Sequence, residues 1–395
     1  MPNSILTAQQ ITRESQRILH QKLNFVGSIN RQYDDSFAKT GAKIGDTLKI
    51  RLPNEYTVRT GATLAAQDTN EASVSLAVAT QKGVDMNFST AELTLSLDDF
   101  SERIIAPAMS VLAANIEADA LSMALDVYQV VNNIGSAITL KSALTARKLL
   151  VDALAPGDAR TLLLNTQDNL DLVDALKGLF QDSSEISKQY REGKVGRTAG
   201  FGDIYENTLL NSQATGTALS ATTYTVNGAN QTGSGVIVAT GATTFKKGDV
   251  VTFAGCNRVH PETKVDTGVL QSFVVTADYA GGAGTLAISP AIVTSGGRQN
   301  VAASPTNGGA VVKVGGASAI YRPSLAYHRD AFAFASADLE MPEGVHFAAR
   351  EQVDGLSMRI VRQYDINSDK IPARIDVLYG YKTLRAQLAA RILSN

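Results

Sequence analysis

Tryptophan is absent, and cysteine occurs once, at Cys256, in 395 residues. One thiol closes no intrachain disulfide and builds no cysteine zinc site, which fits a reducing compartment. Histidine is scarce as well: His20, His260, His328 and His346 stand at no metal-ligand spacing and in no Ser or Cys nucleophile motif. The residues thus predict no catalytic centre, no metal and no cofactor. Neither charge is in excess, since 36 Lys plus Arg face 38 Asp plus Glu for a net charge of -2. A surface built throughout to hold nucleic acid would be strongly basic, so any DNA contact must be local. Met1-Pro2-Asn3-Ser4 does not open a secretory signal, and no unbroken apolar run reaches the roughly 20 residues that span a bilayer. The expectation is use in solution without a membrane partner. A chain this long exceeds one compact core and predicts two or more domains.

What is present is patterned. Residues 7–23 form an amphipathic helix opened by Thr7 and Gln10 at capping-box spacing, with Ile11, Ile18, Leu19 and Leu23 opposite Arg13, Glu14, Arg17 and Lys22. From 46 to 88 the period becomes two: Leu48 and Ile50 alternate with Lys49 and Arg51, Tyr56 to Arg59 continue, and Val74, Leu76 and Val78 follow a polar tip at 61–70. That is a long hairpin, which is either an internal hairpin of an ordinary sheet, the reading the residues alone favour, or a ribbon supported by a partner. A long helix is predicted over 97–131, with Ile105, Leu112, Ile116, Met123 and Val127 on one side and a bend at Pro107. A helix over 142–154 and a strand at Thr161 to Leu164 continue an alternation of helix and strand.

Gly193, Gly196 and Gly200 punctuate a loop whose Gly193-Lys194-Val195 lacks the Ser or Thr a phosphate loop needs. From 211 to 318 charge thins out and short β patterns recur between turn signals, which predicts an all-β insert, barrel or sandwich. At the far end Met358 to Arg362 and Arg374 to Tyr379 alternate around a turn with Asp365, Asn367, Ser368 and Asp369, a second hairpin. The pairs Asp34-Asp35 and Asp98-Asp99 read as turns or helix starts, and His328-Arg329-Asp330 lacks the rest of a kinase loop.

The wording of that terminal hairpin, with the order of Leu162-Leu163-Leu164-Asn165-Thr166-Gln167-Asp168, Gly196 to Tyr205, Phe245-Lys246-Lys247-Gly248-Asp249, Phe253-Ala254-Gly255, Pro261 to Lys264 and Tyr327 to Phe332, resembles phage major capsid proteins of the P22 coat protein type. The resemblance implies an α+β, HK97-like capsid fold with an all-β insertion domain. It places an N-terminal arm at 1–39, an E-loop hairpin at 40–90, and a peripheral domain with a long spine helix at 91–135 and 350–395. An axial domain at 136–210 and 319–349 is interrupted by the insertion domain at 211–318.

The function it implies is a non-enzymatic subunit that assembles through hexamers and pentamers into an icosahedral head around double-stranded DNA. Assembly in the bacterial cytoplasm and residence in the virion follow. Partners would be other copies, a scaffolding protein, a portal, DNA by non-specific contact, and in some heads a decoration protein. Lys49, Arg51, Tyr56 and Arg59 are candidates for intersubunit E-loop contacts. Arg13, Arg17 and Lys22 are candidates to face DNA or scaffold, and Gly83, Pro107, Gly193, Gly196 and Gly200 are candidate hinges. The competing readings are a tail or baseplate part and a bacterial surface or adhesin protein.

Overall fold

The computed structural model describes residues 14–15, 23–31, 47–59, 61–64, 66–67, 71–88, 105–176, 199–239, 241–353, 356–366 and 370–394. They divide into two compact units, the first drawn from 1–52, 73–121 and 332–384, the second from 53–72, 122–331 and 385–395.

In the first unit a 13-residue strand, Ile371–Thr383, is the spine of a five-stranded sheet. Thr80–Phe88 pairs antiparallel along one edge, from Ile371↔Phe88 to Tyr379↔Thr80. Leu356–Arg362 and Phe332–Ala337 share the other edge, and Phe347–Val353 completes the sheet beside Leu356–Arg362. The helix Ala106–Leu121 buries Met109, Leu112, Ala113, Ile116 and Ala120, a stripe at helical spacing. Two polar links tie it to the sheet: Tyr379 donates its hydroxyl to Asp119 at 2.5 Å, and Lys82 pairs with Asp119 at 2.7 Å. The hairpin Thr47–Arg51 with Ser73–Ala77 turns Leu48, Ile50 and Leu76 onto Ala333, Ala335, Ala337 and Leu378. Gly380 allows this approach, because a β-carbon there would lie 2.1 Å from the Ala77 carbonyl oxygen.

The second unit holds another five-stranded sheet, ordered Val130–Asn132, Ala389–Leu393, Ser324–His328, Arg160–Leu164, Asp203–Glu206. Its three central strands are buried at every residue, as strands covered on both faces must be. Beside it run the helices Leu140–Asp152, opened by a Thr139/Ser142 capping box, and Thr166–Leu176. The strands Ala221–Val226, Gly233–Ala239, Val250–Val259, Asp266–Val275, Gly284–Ile292 and Ala310–Lys313 close into a barrel, which leaves no free edge. Tyr224, Phe245, Phe253, Phe273, Leu286 and Val311 fill it. Cys256 lies in the same core, where burial pushes its thiol up to about 12, so it is an inert packing residue.

Several sequence expectations are corrected. The ribbon expected over 46–88 is divided: Thr80–Phe88 leaves the hairpin for Ile371–Thr383, whose alternation it matches across nine paired positions. The helix expected over 97–131 ends at Leu121, continues as a tighter turn Ser122–Asp126, and gives way to strand Val130–Asn132. The β-branched Val130 and Val131 find parallel partners in Arg391 and Ile392, and that pairing overrides the helical period. By length and composition residues 106–126 match a membrane span, although Glu117 and Asp119 break the apolar run, and half of the most apolar window is buried inside the protein. Strand Phe332–Ala337 pairs within the first unit, and Ala389–Leu393 pairs within the second. The helix expected over 7–23 falls almost wholly outside the described residues.

Candidate assembly surfaces

The barrel joins its sheet through the Phe245-Lys246-Lys247-Gly248-Asp249 turn. Phe245 enters the barrel core, while Lys246 pairs with Asp278 at 2.8 Å and Lys247 reaches Asp126 at 3.8 Å. Asp249 is fully buried and accepts from the backbone N–H of Lys246 at 2.9 Å and of Gly216 at 3.0 Å. Around it lie two buried cations. Arg391 donates to Gln213 Oε1 at 2.6 Å and to the Gly248 carbonyl at 2.9 Å, and Lys313 donates to the carbonyls of Gly216 and Gly316 at 3.2 and 2.8 Å. Burial pushes Arg391 down to about 10 and lowers Lys313, with Asp249 opposing both shifts, so Arg391 keeps its charge at neutral pH. Charged residues fixed in this way hold the barrel to strand Ala389–Leu393 in one register.

A second polar knot centres on Asp168, the last residue of the Leu-Leu-Leu-Asn-Thr-Gln-Asp segment. Asn165 caps helix Thr166–Leu176 by accepting from Asp168 N–H at 2.7 Å, and its amide returns a bond to the Asp168 carboxylate at 2.9 Å. Ser394 donates to the same carboxylate at 2.5 Å, and Ser324 donates as well. Burial is the largest influence on Asp168 and raises it from its ordinary value. Between the ordinary value and the raised one the folded chain therefore binds a proton that the unfolded chain has released. Stability from this group is greatest below the ordinary value and falls as pH rises through that window. Asp168→Asn should remove this slope: in urea unfolding between about pH 4 and 7, the difference between wild type and variant should change with pH. A constant difference would show that Asp168 titrates normally.

The hairpin candidates lie where alternation put them. Lys49 and Arg51 are exposed, opposite Ser75 and Ser73 in register, and Tyr56 is 57% exposed. Arg59 is spent locally, donating to the carbonyls of Gly61 and Thr63, and Thr57 is bonded to Gln67 across the tip. Gly83 sits mid-strand across from Asp376, where a β-carbon would come 2.4 Å from the Asp376 carboxylate and the Ile375 carbonyl; close approach requires glycine there irrespective of any hinge. Pro107 is the second residue of Ala106–Leu121 and follows Ile105, which is helical too. Gly200 takes a left-handed φ of 76° beside the Arg147 guanidinium. Arg13, Arg17, Lys22, Gly193 and Gly196 fall outside the described residues.

Sequence reasoning missed Glu117, Asp168, Asp249, Lys313 and Arg391. Charged residues that are nearly or fully buried are the signal, and burial is invisible in composition. Among the described residues no group of three or more His, Cys, Asp or Glu is placed to hold a metal ion.

The sequence matches the family described as P22 coat protein, gene protein 5, over residues 30–391. The chain belongs to that family of phage major capsid proteins, a family of structural subunits and not of enzymes. Its α+β architecture is accordingly HK97-like. No curated protein matches the chain. Solved structures similar to it include one of Mycobacterium phage Che8, 14% identical, covering 93% of this chain and 90% of that one with a TM-score of 0.47. The mature capsid of bacteriophage PhiM1 is 12% identical over 89% of this chain and 82% of its own, with a TM-score of 0.41. A virus-like particle from Pyrococcus furiosus is 7% identical over 97% and 98%, with a TM-score of 0.37.

Proposed function

We propose that this chain is the subunit of an icosahedral phage head, assembling through hexamers and pentamers around double-stranded DNA inside its bacterial host. The family match across 30–391 is the observation that carries the reading. On this view residues 1–39 are the arm, the hairpin of Thr47–Arg51 with Ser73–Ala77 and the segment between them is the E-loop, and the barrel is the insertion domain. A scaffolding protein and a portal are its partners during assembly. On this reading Arg13, Arg17 and Lys22 of the arm would meet scaffold or DNA phosphates without sequence preference. A near-neutral chain suits dense packing of identical copies, because a large like charge would repel across every interface.

Electron microscopy of the purified protein, alone and with its scaffold, tests the reading. Closed shells support it; tubes would favour a tail part, and dispersed monomers under both conditions would remove it. The hairpin can be tested separately. Reversing Lys49 and Arg51 to Glu should leave circular dichroism unchanged and move the melting transition little, since both side chains are exposed. Shell formation should need roughly tenfold more protein, the effect of about 1.4 kcal/mol at an interface. Sedimentation giving wild-type shell yields would remove the intersubunit role of this face.

A further inference from the structure

Two helices of the second unit expose faces that match each other in chemistry. On Leu140–Asp152 the core side is Ala143, Ala146 and Leu150, whereas Lys141, Leu144, Lys148 and Val151 line the opposite side at spacings of three and four. All four are exposed, Leu144 at 41% and Val151 at 46%. Apart from Lys141, Arg147 and Lys148, the helix has one charged residue, Asp152, and that carboxylate is bound by Arg258 at 2.7 Å and Lys148 at 3.3 Å. Helix Thr166–Leu176 is the converse: it contains no cation, exposes Leu170 at 61%, and flanks it with Asp171 and Asp174.

One helix therefore offers apolar residues framed by lysines, and the other an apolar residue framed by carboxylates. A ring of identical copies needs two different surfaces that fit one another, because each subunit meets its two neighbours through opposite flanks. We propose that the basic face of Leu140–Asp152 in one copy seats against the acidic face of Thr166–Leu176 in the next copy of the ring, Leu144 and Leu170 meeting under a cover of lysine–carboxylate pairs. The seat rests on the capsid reading and names the surface through which subunits of one ring recognise each other. Burying three exposed aliphatic side chains supplies attraction, and the opposite charges fix direction and exclude a like-with-like contact.

Cysteine cross-linking in assembled shells tests it, and Cys256, buried in the barrel, adds no background. Shells of the double variant Leu144→Cys, Leu170→Cys should, on mild oxidation, give a ladder of covalent oligomers, whereas neither single variant should cross-link to itself. A missing ladder overturns the seat, and self-linking of either single variant overturns its direction. The charges give an independent arm that keeps the proposal testable if the cysteine pair prevents shells from forming. Lys148→Asp should cut shell yield at least about tenfold, and adding Asp174→Lys should restore it. Failure of that rescue, or no loss in the single variant, overturns the proposal. Wild-type protein that forms no shells even with its scaffold overturns the capsid reading and the seat together; shells without the cross-link overturn the seat alone.

Discussion

Asp249→Ala is expected to destabilise the second unit by about 3–5 kcal/mol, the cost of breaking a buried ionic group by removing one partner. Two backbone N–H groups, of Lys246 and Gly216, would lose their acceptor, and the buried cations Arg391 and Lys313 would lose the carboxylate that offsets their desolvation. The effect should be partly reversible by a second change that removes charge. Adding Arg391→Met, which takes the stranded guanidinium away and keeps much of its volume, should recover more than half of the loss, because an apolar replacement of a buried ionic group is often neutral. Urea unfolding followed by circular dichroism reads both. A loss under about 1 kcal/mol for Asp249→Ala would mean that the root of the barrel is hydrated and its charges are screened.

Glu117→Ala is expected to release the segment around helix Asn24–Ser28. Phe25 donates its N–H to the Glu117 carboxylate, and Val26 does so at 3.2 Å, so one side chain of the long helix satisfies two donors at the opening of the short one. Orphaning two buried N–H groups costs about 1–3 kcal/mol each. Buried Phe25, with its ring 5.6 Å from Phe332, the buried Val26 and Ile29, and the backbone bonds of Asn30 with Phe332 and Phe334 would then hold the segment. Amide exchange at Phe25 and Val26 should accelerate roughly thirtyfold or more, which corresponds to about 2 kcal/mol of lost protection. Phe25→Ala, which removes the packing and keeps the bonds, should cost about 3–5 kcal/mol. Unchanged exchange in the Glu117 variant would show that packing and the Asn30 backbone bonds seat this segment without the carboxylate.

Alternation at Leu48 and Ile50, at Val74 and Leu76, and at Met358 to Arg362 with Arg374 to Tyr379 was enough to place the two hairpins, because a period of two states which side is buried. The composition break at 211 and 318 brackets the barrel strands, which run from Ala221 to Lys313. The same reasoning misassigned Thr80–Phe88, whose alternation suits any edge of suitable length. It also ran the long helix through Val130 and Val131, which meet Arg391 and Ile392 only once the C-terminus returns.

Composition and periodicity therefore determined a near-neutral chain of mixed helix and strand with an all-β insert, while the order of its segments carried the resemblance to phage coat proteins that the family match bears out. Tertiary structure decided which strands pair, how the chain divides into units, and which charges are internal. The reason is physical. Local pattern specifies the face a residue presents, but the hydrogen-bond partner of a strand comes from chain hundreds of residues away, as Ile371–Thr383 does for Thr80–Phe88. A lysine, arginine or aspartate reads as surface until the fold closes over it, and only then do Asp249, Lys313 and Arg391 become the joint that fixes the barrel to its sheet.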